Sequence, residues 1–190
     1  MARKSAFDIL QESLRELGYD PKTHVSGRNF IVPGSYVRTK FVFAEVGDMY
    51  FFASDSHGGA YTSTYTGLYA SIDLPAEADF SVFRKEWFDK LLVSGKKKTG
   101  VTYVDKALTI KSSGWNPAGL FNPDKVDRFL ELGREIKPLK LVVRDEYVPL
   151  AALQGKKVIG IETNRWLFYE KDVRTFLEGA KDLIDSFRSV

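Results

Sequence analysis

The chain of 190 residues contains no cysteine. Disulfide bonds, thiolate zinc sites and a cysteine nucleophile are therefore excluded. Histidine is also scarce, since His24 and His57 are the only two. A metal centre would have to consist mainly of carboxylates, and no clustered spacing of Asp and Glu indicates one. We therefore predict neither a metal nor a cofactor.

Long apolar runs are missing as well. No stretch reaches the roughly 18 consecutive apolar residues that a membrane-spanning helix needs. At the N-terminus, Arg3 and Lys4 are followed by Asp8 and Glu12, where a signal peptide would have an uninterrupted apolar segment. We expect a cytoplasmic protein without a membrane span of its own.

Catalytic signatures are absent too. The sequence has no glycine-rich dinucleotide fingerprint, no zinc-protease helix motif, no nucleophile elbow and no acidic calcium loop. Residues 95–100 come closest to a phosphate-binding loop, but Val101 stands where the essential lysine would follow the second glycine. The lysines of this segment are typical of a solvated turn.

What the chain does have is the composition of a packed globule. Hydrophobic residues make up 44%, aromatic residues 14% and charged residues 28%, a balance unlike that of disordered or fibrous chains. The length suits one domain over residues 1–190. The net charge of +3 is far from the concentrated positive charge of a dedicated nucleic-acid binder, so nucleic acid is an unexpected partner.

Capping signals and apolar periodicity predict three helices. The first begins after Ser5, shows apolar residues at helical spacing and stops at Gly18. A central helix begins after Asn122, with proline and an acid in its first turn, and stops at Gly133. The last is capped by Asp172 and presents a broad apolar stripe.

Short segments rich in β-branched and aromatic residues predict strands between these helices. Residues 79–92 fit a short strand running into a helix. We expect the first three strands to form an antiparallel meander. The class is therefore α+β, an antiparallel or mixed sheet packed on one side by the N-terminal, central and C-terminal helices. The strands are predicted near residues 29–32, 36–45, 49–54, 67–74, 101–104, 107–112, 138–144 and 157–163.

The segment around Asp55 and His57 places an acid, serines and a histidine before two glycines. One interpretation is a small hydrolase in which Asp55 and His57 act with a distant carboxylate such as Glu162 or Asp145. Members of a catalytic triad normally come from distant positions on rigid elements. We therefore favour a polar hairpin loop held by local hydrogen bonds.

Tyrosines alternate with threonines in the next segment. In an extended chain Tyr61, Tyr65 and Tyr69 share one face. Such a face is either a cross-strand ladder that stabilises the sheet or a stacking surface for a nucleic acid, a glycan or a peptide. The residues that would contribute hydrogen bonds and positive charge to such a surface are Tyr36, Arg38 and Lys40.

Two loop tryptophans are further binding candidates, Trp115 and, next to Arg165, Trp166. Tryptophans in loops can anchor ligands, and an arginine beside one can stack or bind an anion. More often such residues close the edge of a core, with the indole N–H bonded to a backbone carbonyl.

One run of residues carries a resemblance, Thr99-Gly100-x-x-x-Val104-Asp105-x-x-Leu108-x-Ile110-x-Ser112. It resembles the Thr-Gly, aromatic-Asp, strand pattern of a bacterial family of uncharacterised proteins, whose members often carry membrane helices ahead of a soluble α+β domain. Val104 stands where that family has an aromatic residue, and the similarity covers the second half of the chain. The resemblance implies a turn at Asp105 between two paired strands and transfers no activity.

These observations predict a soluble, non-catalytic binding or interaction module whose partner is a protein or a small molecule. Its candidate binding residues are Tyr61, Tyr65, Trp115, Arg165 and Trp166. The hydrolase using Asp55 and His57 is one alternative. The other is a weak nucleic-acid binder that uses Lys96, Lys97, Lys98, Arg38 and Lys40.

Overall fold

The computed structural model describes residues 4–26, 38–58, 61–85, 96–145 and 150–189, and at 26, 38–39, 56–58, 61–63 and 96–97 it describes the backbone alone. Within these ranges the chain forms helices and a sheet in the order expected for an α+β fold. The helices are α1 Ala6–Glu16, α2 Thr102–Ala107, α3 Pro123–Glu135 and α4 Glu170–Arg188, with short 3-10 turns at Pro117–Leu120 and Ala151–Leu153.

All described strands belong to one antiparallel sheet. Their order across the sheet is β1-β2-β3-β4-β9-β8-β5-β7-β6, so the last strand of the chain lies near the centre. The strands are β1 Lys22–Ser26, β2 Arg38–Val46, β3 Met49–Gly58, β4 Tyr61–Ser71, β5 Phe80–Arg84, β6 Lys96–Lys97, β7 Leu108–Ser112, β8 Lys140–Asp145 and β9 Lys157–Thr163.

The sheet has two unlike faces. One, the helix face, includes Phe51 and Ile161 and packs in one large apolar cluster with side chains of all four helices, such as Phe176. The other, the tyrosine face, is the one that carries Tyr50, Tyr65 and Tyr69 together with a smaller apolar cluster. Because side chains alternate along a strand, neighbours such as Phe51 and Phe52 belong to different faces. The smaller cluster consists of Phe41, Phe52, Tyr69, Leu150, Leu153 and Val158.

Helix α1 confirms the prediction made from its capping signals. Ser5 and Asp8 form a reciprocal capping box, which satisfies two backbone N–H groups at the helix start. The helix ends before Gly18, which has a φ of +85°, a conformation that glycine adopts without steric strain. Leu10 and Leu14 are buried against the sheet, so α1 closes one end of the helix face.

The two later helices begin or end elsewhere than predicted. Helix α3 does start after Asn122, whose side chain caps it, but it continues through Gly133 to Glu135. A glycine inside a helix costs only about 1 kcal/mol, so it need not stop one. Helix α4 starts at Glu170, with Tyr169 as its cap residue and Asp172 in the first turn.

Several strand predictions are wrong in type or extent. Residues 102–104 of the predicted strand 101–104 are helical, and Asp105 lies in α2 instead of a turn between paired strands. Strand β9 matches its prediction in full, whereas β4 begins six residues earlier than predicted, at Tyr61. Strands β1 and β6 were not predicted. The predicted strand 29–32 and the helix after 85 lie outside the described residues.

The described residues therefore show an α+β architecture with an antiparallel sheet and helices against one of its faces. None of the helices described is long and apolar enough to cross a membrane.

Candidate functional site

A buried carboxylate marks the centre of the tyrosine face. Glu162 lies in β9, and its side chain is only 5% exposed. The sequence itself explains why it points there: Ile159 and Ile161 face the helices, so by strand alternation Glu162 points to the opposite side. An ionised carboxylate in such a place needs partners that compensate its lost hydration.

The partners of Glu162 come from two neighbouring strands. Tyr69 in β4 donates its hydroxyl to Oε1 at 3.2 Å, and the guanidinium of Arg144 in β8 binds the same oxygen. Lys140, directly opposite Glu162 in the register, places its Nζ 3.7 Å from Oε2. The hydroxyl of Tyr65 shares a hydrogen bond with that of Tyr69, which extends the polar cluster along β4.

Two glycines make room for this cluster. The ring of Tyr69 lies flat on the sheet, and a Cβ built at Gly67 would meet its hydroxyl at 2.4 Å, while one at Gly160 would meet its Cδ1 at 2.5 Å. Real Cβ atoms do not approach so closely, so both positions require glycine. The guanidinium of Arg144, which binds Glu162, lies 5.9 Å from the ring centroid of Tyr69. This is a cation–π distance.

The cluster places two cations where solvent reaches them. One carboxylate, Glu162, serves both Arg144 and Lys140, whose side chains are 35% and 36% exposed. Each cation therefore presents part of its surface to solvent while its position is fixed from below. The arrangement can hold an anion above the sheet, because positioned guanidinium and ammonium groups bind carboxylate and phosphate oxygens strongly.

Among the candidates from sequence, Tyr65 belongs to this cluster. Tyr61 lies opposite Gly58 in the pairing of β3 with β4, and its side chain is outside the described residues. The prediction that Tyr65 and Tyr69 share a face is confirmed. Their hydrogen-bonded pair supports neither of the two interpretations alone, because it both stabilises the sheet and lines the cation-bearing surface.

Asp55 lies on the other side of the sheet. The segment that was predicted as a polar loop continues as β3 up to Gly58, and Asp55 follows Phe51 and Ala53 of the helix face in alternation. It pairs with Lys40 and Thr64 in the register. Glu162 therefore projects from the opposite face and cannot converge with Asp55.

The second carboxylate proposed for a hydrolase is also remote. Asp145 forms an ion pair with Lys157, whose carbonyl binds the amide of Ile72. Thr64, which pairs with Asp55, precedes Ile72 by eight residues along β4 and its continuation. This separation corresponds to about 26 Å of extended chain. The side chain of His57 is outside the described residues. The structure therefore does not bring together the carboxylates that the hydrolase interpretation requires.

The two tryptophans do not meet each other. Trp115 stacks on Phe80 with ring centroids 5.7 Å apart, and Trp166 stacks on Phe7 at 6.2 Å. Both are partly buried against the large apolar cluster. Both therefore close the edge of the core, as one interpretation of the sequence predicts, although Nε1 of Trp166 is buried with no hydrogen-bond partner among the described residues.

Arg165 lies in a turn that β4 holds in place. The hydroxyls of Thr64 and Thr66 donate to the carbonyls of Asn164 and Arg165, each at 2.8 Å. The threonines of the Tyr and Thr stretch thus anchor the Asn164 turn, while its tyrosines serve the opposite face. The side chain of Arg165 is exposed.

The lysines proposed for nucleic acid do not form one surface. Lys40 lies on the helix face, with its Nζ 5.9 Å from the ring of Phe7, and so cannot join the tyrosines. Lys98 follows β6 at one edge of the strand order, whereas β2 is next to the other edge. The side chains of Arg38, Lys96 and Lys97, and the whole of Tyr36, are outside the described residues.

The cluster on the tyrosine face was missed by sequence reasoning, apart from the face shared by Tyr65 and Tyr69 and the separate mention of Glu162. Lys140 and Arg144 were inside a predicted strand, and their spacing of four residues already places them on one face. The described residues include no group of three or more acidic or histidine side chains placed to hold a metal ion. Comparison of the chain with protein-family models, curated proteins and solved structures finds no match.

Proposed function

We propose that this protein is a non-catalytic binding module that takes an anionic ligand on the tyrosine face. The observation that supports the proposal is the single buried carboxylate of Glu162 shared by Arg144 and Lys140. It fixes both cations in position while part of each side chain stays exposed. A prearranged pair of donors binds an anion with a smaller loss of conformational entropy than two mobile side chains.

Small molecules suit this surface better than a flat protein partner. The polar groups of Tyr65, Tyr69, Arg144 and Lys140 converge within one region, and an apolar cluster that includes Phe52 and Leu153 borders it. A few convergent polar groups beside apolar side chains are typical of ligand sites. A non-catalytic role fits the cluster, because its one acid is held by cations and Asp55 lies on the opposite face.

A cleft of about 670 Å³ elsewhere on the molecule is the competing place for a ligand. It lies against the helix-face cluster and is lined by residues such as Leu120 and Phe187. Two of its cations already have carboxylate partners, Lys157 with Asp145 and Arg188 with Asp48 at 2.5 Å. Its third cation, Lys156, has an acid, Asp73, in the same lining. In the cleft each paired cation therefore has a carboxylate of its own, whereas on the tyrosine face Glu162 serves two cations.

The test maps where small anions bind. Phenyl phosphate and benzoate are titrated into the isotope-labelled protein, and backbone amide shifts are followed by NMR, with benzylamine as a cationic control. We expect both anions to shift the amides of Phe83, Lys140 and Arg144, and benzylamine to leave them unchanged. Shifts that cluster around Leu120 and the cleft, or no shifts at all, would reject the proposal.

A matched pair of variants checks the role of the guanidinium. Arg144→Gln removes the cation of the site, whereas Arg174→Gln removes an exposed arginine of α4 that pairs with Glu170. We expect about tenfold weaker binding of phenyl phosphate by the first, the size of one charge-assisted hydrogen bond, and no change by the second. Equal effects of the two variants would mean that only the overall charge of the protein matters.

A further inference from the structure

Two adjoining cavities form one groove at the end of the sheet where β4 ends and β9 begins. Their volumes are about 670 and 410 Å³, and their linings share Leu74, Lys156 and Lys157. The larger one is the cleft described above, and its volume is within the range of about 300–1,000 Å³ that is usual for small-molecule sites. The groove therefore has the size of a ligand site, and the two lysines lie where its parts meet.

Lys157 supplies a fixed ammonium group at this junction. Its side chain is only 7% exposed. Its Nζ donates to the carbonyl of Ala76 at 2.7 Å and binds the carboxylate of Asp145. An ammonium group has three N–H donors, and the described residues use two of them. A carboxylate in the cleft can accept the third with little loss of side-chain entropy, because Nζ is already held in place.

Asp73 and Lys156 add opposite charges to the same cleft. The amide of Ile72 donates to the carbonyl of Lys157 at 2.9 Å, so the residues next to that pair, Asp73 and Lys156, lie on neighbouring segments of the chain. Both side chains are exposed and line the cleft. Neither takes part in the ion pairs or side-chain hydrogen bonds found among the described residues. The cleft therefore offers one ligand an acid and two cations.

The lining of the cleft also has an apolar part. Ile72 and Leu74 are only partly buried against the helix-face cluster, so they present apolar surface to the cleft. Leu120, a third apolar residue of the lining, is held from behind, because Nζ of the buried Lys125 donates to its carbonyl at 3.0 Å. An apolar group that covers this surface removes it from water, which favours binding.

A ligand with both signs of charge suits this lining. A simple anion would meet the carboxylate of Asp73, whereas an α-amino acid carries an ammonium and a carboxylate on one carbon. We propose that the cleft binds a free amino acid with a bulky apolar side chain. Its carboxylate binds Lys156 and the remaining donor of Lys157, its ammonium binds Asp73, and its side chain covers Ile72 and Leu74. The site is independent of the tyrosine face, since it lies on the helix side of the sheet.

The experiment compares four ligands that share one phenyl ring. Phenylalanine carries both charges on one carbon, 3-phenylpropionate lacks the ammonium, and phenethylamine lacks the carboxylate. The dipeptide phenylalanylalanine has its carboxylate one residue further away. Each ligand is titrated into the isotope-labelled protein, and NMR follows the amides of Ile72, Asp73, Leu120 and Lys157. We expect phenylalanine to bind about fivefold more tightly than each of the others, the size of one solvent-exposed ion pair.

The inference is overturned if phenylalanine shifts none of these amides, or if any of the other three ligands binds the cleft as tightly. The amides of Phe83, Lys140 and Arg144 report on the tyrosine face in the same spectra. If phenyl phosphate shifts those three while phenylalanine fails at the cleft, the amino-acid site is wrong and the proposed function stands. The opposite result rejects the proposed function alone.

Variants at the two exposed positions assign the charges. Asp73→Asn should weaken binding of phenylalanine about fivefold without weakening that of 3-phenylpropionate, because only phenylalanine has an ammonium. Lys156→Gln should weaken the binding of both. The matched controls are Asp20→Asn and Lys171→Gln, which remove an exposed acid and an exposed lysine outside the cleft and should leave both affinities unchanged. Equal effects of a variant and its control would overturn the inference.

Discussion

The two faces of the sheet bury different kinds of side chain. The helix face is covered by an apolar cluster that runs from β2 to β7 and includes side chains of every described helix. The tyrosine face has a smaller apolar cluster and, beside it, the buried carboxylate of Glu162 with its cations. Burying charge costs free energy even when it is paired. The helix face therefore supplies most of the hydrophobic stabilisation, and the tyrosine face can hold groups that a core would not retain.

The largest expected effect separates the two faces with adjacent residues of one strand. Phe51 and Phe52 are both fully buried, the first in the large cluster and the second in the small one. We expect Phe51→Ala to lower the free energy of unfolding by about 4 kcal/mol and Phe52→Ala by about 3 kcal/mol, because the smaller cluster around Phe52 can close more of its cavity. Urea denaturation of both variants measures the difference.

A larger loss of unfolding free energy for Phe52→Ala than for Phe51→Ala would contradict the expected difference between the two faces. It would mean that the tyrosine face is as much a core as the helix face, and that its polar cluster is buried within it. The slope of the unfolding free energy against urea should stay the same in both variants, which checks that the two share one unfolding transition.

Local signals in the sequence were enough to predict much of the helix face. The cap of Ser5 and the apolar spacing after it define α1, and Asn122 followed by Pro123 defines the start of α3. These features are decided within a few residues, so they can be read without the fold. The short run of β-branched residues predicted β9 for the same reason.

The polar cluster could not be predicted in the same way, because it depends on register. Glu162 meets Lys140 only because β8 and β9 pair with those residues opposite each other, and a shift of one residue would place them on different faces. Asp105 shows a different limit. The sequence around it favoured two strands joined by a turn at Asp105, whereas the side chain of Asp105 binds Thr99 and Gly100 and lies in a helix.

The second prediction tests whether the tyrosine face is as tightly built as a core at its centre. In Gly160→Ala the new Cβ would lie 2.5 Å from the Tyr69 ring and 3.3 Å from Cγ2 of Val142. We expect a loss of about 2 kcal/mol in the free energy of unfolding, the usual cost of overpacking. Gly119→Ala is the control, because nothing lies within 4 Å of its Cβ position.

A double-mutant cycle assigns the cost of Gly160→Ala to its neighbour. In a Tyr69→Ala background the ring is gone, so the same substitution should cost less than about 0.5 kcal/mol, with the coupling within the range seen for residues in contact. An unchanged cost in that background would show that Tyr69 is not what makes Gly160 necessary, and that the flat ring over the sheet does not organise the site.

The prediction with the smallest expected effect concerns the acids on the two sides of the sheet. Glu162 is held by cations, whereas Asp105, in α2 on the helix side, accepts hydrogen bonds from the amide and hydroxyl of Thr99, both at 2.8 Å, and from the amide of Gly100 at 3.2 Å. Burial alone would raise the pKa of Asp105, but these hydrogen bonds outweigh it and lower the pKa below its unfolded value of 3.8. The ionised form therefore stabilises the folded protein.

The lowered pKa of Asp105 determines how the stability of the protein depends on pH. The stabilisation by its ionised carboxylate is fully present above the unfolded pKa and is lost as the pH falls through the folded pKa. Asp105→Asn should therefore cost about 1 kcal/mol at pH 7, since the amide keeps one acceptor oxygen, and the difference from the parent protein should shrink as the pH falls below 3.8 and through the lowered pKa of the folded protein. Thr99→Val, which removes one donor, should show the same pH dependence with a smaller amplitude. A cost of Asp105→Asn that stays constant from pH 7 to the acid limit would mean that shape, and not the charge held by Thr99 and Gly100, fixes α2 on the helix side.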